Sequence, residues 1–295
     1  MNFRTDLALE RSETFGGKLP EGVKCEITEK DGAKTTVIEV TDERGEQAIG
    51  KPIGKYITVE VPPFSQSAPL FDDRIDAVTD GLKALLPKDG PVLVAGLGND
   101  DITPDALGPK CSSLILATRH IDGELAKSAG LGELRPVACL TPGVLGKTGI
   151  ETGEIIAGAV KTVKPSVVIT VDALAARRLS RLGCTVQMSD TGVTPGSGVG
   201  NSRMEISSAS LGVPVVAIGV PTVVDAATLA SDLGYREGEG GEGHGSALEP
   251  EGARMMITPR EIDLVIERAA RMIAMAINSA LQPHIPMEDI IMLVS

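Results

Sequence analysis

The chain has 295 residues and 30.6 kDa, enough for one or two domains with a sizeable core, and its 42% hydrophobic against 23% charged residues is the balance of a folded globular protein. Its 28 Lys and Arg stand against 40 Asp and Glu, a net charge of -12 that repels phosphate backbones over a Debye length. With only 2% aromatic residues and no Trp there is little to build a base-stacking platform or a membrane belt, so contact with nucleic acid or a membrane is not expected. Cys25, Cys111, Cys139 and Cys184 lie far apart, without the paired spacing of a zinc or redox site, and read as reduced, mostly buried thiols.

Residues 1–6 lack the apolar core of a signal peptide, and no later stretch reaches the roughly 20 apolar residues that span a bilayer, so a cytoplasmic location is expected. From Val23 to Val61, alternating stretches such as Tyr56-Ile57-Thr58-Val59-Glu60-Val61 are broken by Asp31-Gly32 and Glu43-Arg44-Gly45, which predicts antiparallel hairpins with one wet face. Ile75, Val78, Leu82, Leu85 and Leu86 then recur at helical spacing, closed by Pro87 and Gly90. Residues 7–90 are therefore read as an N-terminal β section with a lead-in helix.

Short apolar runs follow at Val92–Ala95, Val137–Leu140, Val167–Val171 and Val215–Ile218, with helical stretches between them that include Ile150 to Val163 and Ala173 to Leu182. Strands buried on both faces and alternating with helices predict, over 91–234, a three-layer α/β/α sandwich around a mainly parallel or mixed sheet. Function in such a sheet gathers at the carboxyl ends of its strands. Residues 235–257 turn Glu- and Gly-rich and are read as a mobile acidic loop, whereas Thr258-Pro259-Arg260 reads as the N-cap of a long amphipathic helix within 258–295.

Two carboxylates fall near those carboxyl ends. Asp172 ends the Val167–Val171 run, where it is either a helix N-cap or a catalytic group; Asp105, in Thr103-Pro104-Asp105 after the first core strand, is either charge on a helix dipole or catalytic. Brought to one crevice, such a pair cannot easily ionise twice, so one member can take a proton from water while the other, protonated, donates to a carbonyl oxygen or leaving amine. No metal is needed for that scheme. Thr141 to Thr148 has a partial phosphate-loop pattern ending in Gly146-Lys147-Thr148, which keeps a nucleotide hydrolase open as an alternative, although Thr141 stands where the first Gly belongs and Pro142 removes an amide donor. A non-catalytic assembly protein of the same fold is the other alternative. Asp190-Thr191-Gly192 occurs once and reads as a turn; His120, His244 and His284 are scattered, and Arg119-His120 reads as a helix end.

The blocks Gly96-Leu97-Gly98-Asn99, Thr103 to Pro109, Pro142-Gly143-Val144, Thr148 to Thr152, Asp172 to Arg177, Asp190-Thr191-Gly192, Pro195 to Asn201 and Gly219 to Ala226 together resemble the germination proteases of spore-forming bacteria. They span about half the chain in the family's order. The resemblance implies an atypical aspartic endopeptidase, made as a zymogen and acting as a homotetramer, that degrades small acid-soluble spore proteins in the spore core when germination begins. It also implies a fold like that of the hydrogenase maturation proteases. Those enzymes use nickel, but the matching motifs here carry no ligating histidine, so neither metal nor cofactor is expected. The family's two carboxylates fall on Asp105 and Asp172. Family zymogens cut themselves between an acidic and an apolar residue, and Arg4 to Glu10 looks like that segment; the expected products are a propeptide of residues 1–6 and a chain starting at Leu7, with the cut between Asp6 and Leu7.

Overall fold

A computed structural model describes residues 5–16, 18–30, 32–66, 73–197, 203–230 and 255–294. Its strands, named in chain order, are β1 (Val23–Lys30), β2 (Ala33–Val40), β3 (Gly54–Glu60), β4 (Val92–Gly96), β5 (Val137–Leu140), β6 (Val167–Ala176), β7 (Thr185–Ser189), β8 (Val215–Asp225) and β9 (Met256–Ile257). They form one mixed sheet in the order β1-β2-β3-β7-β8-β6-β4-β5, with β9 on the far end of β8. The half from β1 through β7 to β8 is antiparallel, and β8, β6, β4 and β5 run parallel. The expected hairpins and the expected parallel core are thus continuous through β7, a strand whose five buried residues carry too short a pattern to read alone.

The helices are α1 (Ala8–Glu13), α2 (Glu43–Ile49), α3 (Asp73–Leu85), α4 (Leu107–Ser112), α5 (Gly123–Ser128), α6 (Leu145–Thr148), α7 (Thr152–Val163), α8 (Ser208–Leu211), α9 (Ile262–Leu281) and α10 (Met287–Val294). One sheet face is covered by α3, α4, α9 and α10, whose Ile75, Leu82, Leu107, Ile266, Ile273 and Ile290 join the inward residues of β4, β6 and β8 in the main core. The other face buries Leu93, Ala95 and Val168 against Ile156 and Val160 of α7. This is the three-layer α/β/α sandwich. Among the described residues no helix is long and apolar enough to cross a membrane.

Several expectations are corrected. The helix expected from Ala173 to Leu182 is instead the second half of β6 followed by a 3-10 turn at Leu179–Arg181. Ala173–Ala176 pairs with Val220–Val224 of β8, and that ladder overrides the helix preference of an Ala- and Leu-rich stretch. Asp172 is therefore a strand residue, not an N-cap. Asp105 lies in a separate 3-10 turn, Thr103–Asp105, ahead of α4. Glu43-Arg44-Gly45 opens α2, because the Asp42 carboxylate accepts from the Arg44 and Gly45 amides. The cap of α9 is Glu261, and Thr258 instead donates its hydroxyl to the Thr222 carbonyl at 2.9 Å. Arg119 and His120 sit in a turn between α4 and α5. Cys25 is exposed on β1; Cys111 is buried, Cys139 and Cys184 are half-buried, and all four are free thiols. Most of the acidic loop expected over 235–257 lies outside the described residues, but its end forms β9, paired with Val224 and Asp225.

Candidate active site

From β4 the chain runs to β5 on one side, while β6 lies on the other, so the carboxyl ends of β4 and β6 flank a topological switch point. The turn after β4 is drawn tightly over that point. The Leu97 amide donates to the Val171 carbonyl at 2.8 Å, and Gly98, with φ +109°, lets the chain fold back so closely that a Cβ there would lie 2.0 Å from the Asp105 carbonyl oxygen. Asn99 then donates its amide to Oδ2 of Asp105 at 2.8 Å. From the other side a bulge in β8 turns the buried Thr222 hydroxyl onto the Pro104 carbonyl, again at 2.8 Å. The turn that carries Asp105 is thereby tied to β6 and β8, and its carboxylate is held by the Asn99 amide.

Asp172 occupies β6 directly opposite Gly219 of β8, and Gly219 in turn faces Gln187 of β7. Residues opposed across a ladder point to the same face, so Asp172 and Gln187 project to one face on either side of Gly219, where a Cβ would lie 2.8 Å from the Leu174 side chain. Asp172 is only 8% exposed, with the Ala173 amide donating to its Oδ1 at 2.9 Å. Burial first, then the charges of Asp105 and Asp6, hold its carboxyl well above the ordinary carboxylate range. Asp105 is also raised by burial, against which the Asn99 amide pulls it down. Both line one cavity of about 1070 Å³. Of the two, Asp172 is the more strongly raised.

The same cavity holds the beginning of the described chain. Where β4 ends at Gly96, opposite Val171, the edge of β6 is left open, and residues 5–6 run along it: the Asp6 amide donates to the Ala175 carbonyl at 2.9 Å, and the Ala175 amide donates to Oδ2 of Asp6 at 2.8 Å. Ser197 donates its hydroxyl to the other carboxylate oxygen of Asp6 at 3.1 Å. Leu7 is fully buried in an apolar pocket with Leu174, Ala176 and Val224. Further on, the Glu10 carboxylate accepts the Arg177 and Arg178 amides at 2.7 and 2.9 Å and is also bonded by the Thr5 hydroxyl. Residues 5–10 are therefore bound at both ends, with the Asp6–Leu7 peptide bond between the two anchors.

The four residues singled out in the sequence, Asp6, Leu7, Asp105 and Asp172, thus meet at one cavity or its wall. Three neighbours are not singled out in the sequence: Gln187 and Lys51, which carry no signal of a role, and Ser197, which lies within the block Pro195 to Asn201; each is brought in by long-range pairing. Lys147 takes no part in this constellation, because its ammonium is held by Asp100 and Asp101 at 2.5 and 2.7 Å, and the helix it belongs to, α6, is only four residues long. Asp190 accepts the Lys55 amide at 2.8 Å in a turn, as its motif predicts. Among the described residues there is no group of three His, Cys, Asp or Glu arranged to hold a metal ion.

Comparison with known proteins agrees with the residue blocks. The sequence profile of the germination proteases matches residues 6–235. The chain is 46% identical to the germination protease of Caldanaerobacter subterraneus, over 96% of this chain and 95% of that one. It is 41% identical to the Clostridium perfringens enzyme, over 98% of each, and 36% identical to the Priestia megaterium enzyme, over 97% and 95%. Among solved structures, the NiFe hydrogenase maturation protease HycI from Thermococcus kodakarensis covers 68% of this chain and 98% of its own at a TM-score of 0.38 and 20% identity. The chain belongs to the germination protease family and is an endopeptidase.

Proposed function

We propose that this member of the germination protease family is a self-processing aspartic endopeptidase that cuts its own chain between Asp6 and Leu7 and then degrades small acid-soluble spore proteins in the spore core. Asp105 and Asp172 supply the chemistry. With Asp172 holding the shared proton and Asp105 ionised, Asp105 takes a proton from water as the water oxygen bonds to the carbonyl carbon of residue 6. Asp172 gives its proton to the nitrogen of residue 7 as the carbon–nitrogen bond breaks. Each such positioned transfer contributes typically about 10²–10⁴-fold.

The observation that carries this reading is the docking of the Asp6–Leu7 bond in the cavity lined by both carboxylates, close enough that the Asp6 charge bears on Asp172. The same contacts describe a substrate: an unfolded segment entering along the open edge of β6, with an acidic residue on the Ala175 amide and Ser197, and an apolar one in the Leu174 pocket. β-Strand addition of this kind reads backbone and alternate side chains together, which suits substrates that lack fixed structure. Homotetramer assembly and the zymogen role of residues 1–6 belong to the same proposal through the family.

Sequencing the new N-terminus of the purified chain after incubation tests it. A start at Leu7 is expected, with Asp105→Asn and Asp172→Asn proteins uncut and unable to digest an added small acid-soluble spore protein. Near-normal digestion by either variant would refute the pair.

A further inference from the structure

The carbonyl oxygen of Asp6 receives two hydrogen bonds, neither from a carboxylate. Lys51 donates its ammonium to it at 2.8 Å, and Gln187 donates Nε2 to it at 3.0 Å. We propose that Lys51 and Gln187 form the oxyanion hole of this protease, stabilising the negative charge that develops on the carbonyl oxygen of the residue before the cut.

Several features make this a built site. The Gln187 amide is held in one orientation because its Oε1 accepts the Ala8 amide at 2.8 Å, so the side chain spans the Asp6–Leu7 bond and grips the chain on both sides of it. It is 8% exposed and stands across Gly219 from Asp172, which sets donor and proton source on one row of the sheet. Lys51 follows Gly50, whose left-handed conformation (φ +64°) ends α2, and precedes Pro52, whose carbonyl accepts the Tyr56 hydroxyl at 2.8 Å. The lysine is thus carried on a turn fixed at both ends, not on a free loop. Burial pushes the Lys51 ammonium down from its ordinary value, and the Asp6 carboxylate acts against that burial while Arg11 adds to it. The Lys51 side chain is half-buried, and its ammonium is aimed at a backbone carbonyl oxygen. At a carbonyl that must bear a charge, the same arrangement lowers the barrier.

The electrons balance simply. As the water oxygen bonds to the carbonyl carbon, the π pair moves onto the oxygen held by Lys51 and Gln187. On collapse that pair re-forms the carbonyl, the bond to the Leu7 nitrogen breaks, and Asp172 protonates the nitrogen. Neither donor gains or loses a proton overall.

The inference rests on cleavage between Asp6 and Leu7, so its test measures both. The full-length chain and its Lys51→Met and Gln187→Glu variants are incubated side by side, and the rate and position of self-cleavage are followed by mass spectrometry and N-terminal sequencing. Both variants keep side-chain shape, and the carboxylate introduced by Gln187→Glu can still accept the Ala8 amide. Loss of each donor is expected to slow the cut about 10²–10³-fold, with the double variant losing less than the product of the two. Hydrogen exchange at the Ala175 amide, which donates to Asp6, is expected to stay protected in both variants and shows that the segment is still docked. A cut at Leu7 at near wild-type rate in both variants would overturn the oxyanion hole alone. A slowed cut accompanied by loss of Ala175 protection would overturn it too, in favour of a purely binding role. A wild-type chain cut elsewhere would remove the cleavage site and the hole together.

Discussion

Replacing Leu7 by Ala tests whether the residue after the proposed cut is held as tightly as the packing implies. Leu7 is fully buried, and its isobutyl group fills a pocket made by Leu174, Ala176 and Val224, with Leu182 and Leu229 at its margin. Truncation removes three carbons, worth ~2.5 kcal/mol at about 0.8 kcal/mol each. The cavity left behind raises the total to ~3–4 kcal/mol, within the range of buried Leu→Ala changes. Because Leu7 belongs to a chain end, the loss is felt as undocking of residues 5–13 before it is felt as global unfolding. Two measurements follow. Denaturant unfolding reports the stability change up to the docking energy of the segment, and limited proteolysis within α1 reports the undocked fraction. Self-cleavage is expected to slow by up to about 10²–10³-fold as docking becomes limiting, at roughly 1.4 kcal/mol for each factor of ten. Leu7→Met, which conserves volume, is expected to cost under about 1.5 kcal/mol and cut at near normal rate. Unchanged stability and an unchanged rate in the Ala variant would refute the pocket as the seat of that residue in solution.

Asp172→Asn is expected to abolish cleavage and yet stabilise the fold at pH 7. The folded carboxyl keeps its proton above the pH at which the unfolded chain loses it, so in that window the native state binds more protons and stability falls as pH rises. Asn is neutral throughout; the variant's gain in melting temperature should therefore shrink toward about pH 4, where the unfolded carboxyl is protonated too. A variant that melts lower than wild type at pH 7 would contradict the burial of an uncompensated carboxyl. Gly98→Ala places a Cβ 2.0 Å from the Asp105 carbonyl oxygen at φ +109°. It is expected to cost ~1–3 kcal/mol in thermal unfolding and to slow cleavage at least about tenfold by shifting the Asp105 turn. Lys147→Ala removes only exposed ion pairs to Asp100 and Asp101 and is expected to leave melting temperature and self-cleavage unchanged. Calorimetry of the wild-type chain with ATP and magnesium should give no binding heat; a stoichiometric signal lost in Lys147→Ala would revive the nucleotide reading.

Strand and helix positions in the core are legible wherever the apolar pattern is local. Val92–Ala95, Val137–Leu140 and Val215–Ile218 are short apolar runs that form strands, and α7 and α9 carry clear helical spacing. The stretch Ala173–Ala176 misleads for a physical reason: its residues favour a helix, and only the partner strand β8 and the docked segment on its other edge supply the hydrogen bonds that keep it extended. Of the proposed site, Asp105 and Asp172 can be found because each follows a strand-like run, and Asp6-Leu7 because the self-cleavage pattern that the family resemblance implies is written in adjacent residues. The roles of Lys51, Gln187 and Ser197 cannot be found that way. Nothing near Lys51 in the chain marks it apart from other lysines after a glycine turn, and Gln187 gains its meaning only through Gly219, which brings it beside Asp172.

By itself the sequence determined what local order and composition can encode: an acidic surface, the alternation that builds a three-layer sandwich, and the short blocks that belong to one peptidase family. Tertiary structure alone decided which groups act on one another. Proton affinities at Asp172 and Lys51 are set by desolvation and by charges contributed from residues tens to hundreds of positions away, and the row from Asp172 through Gly219 to Gln187 exists only once β6, β8 and β7 have found their register. Burial and distance are properties of the folded chain, so a chemistry that depends on them becomes readable only there.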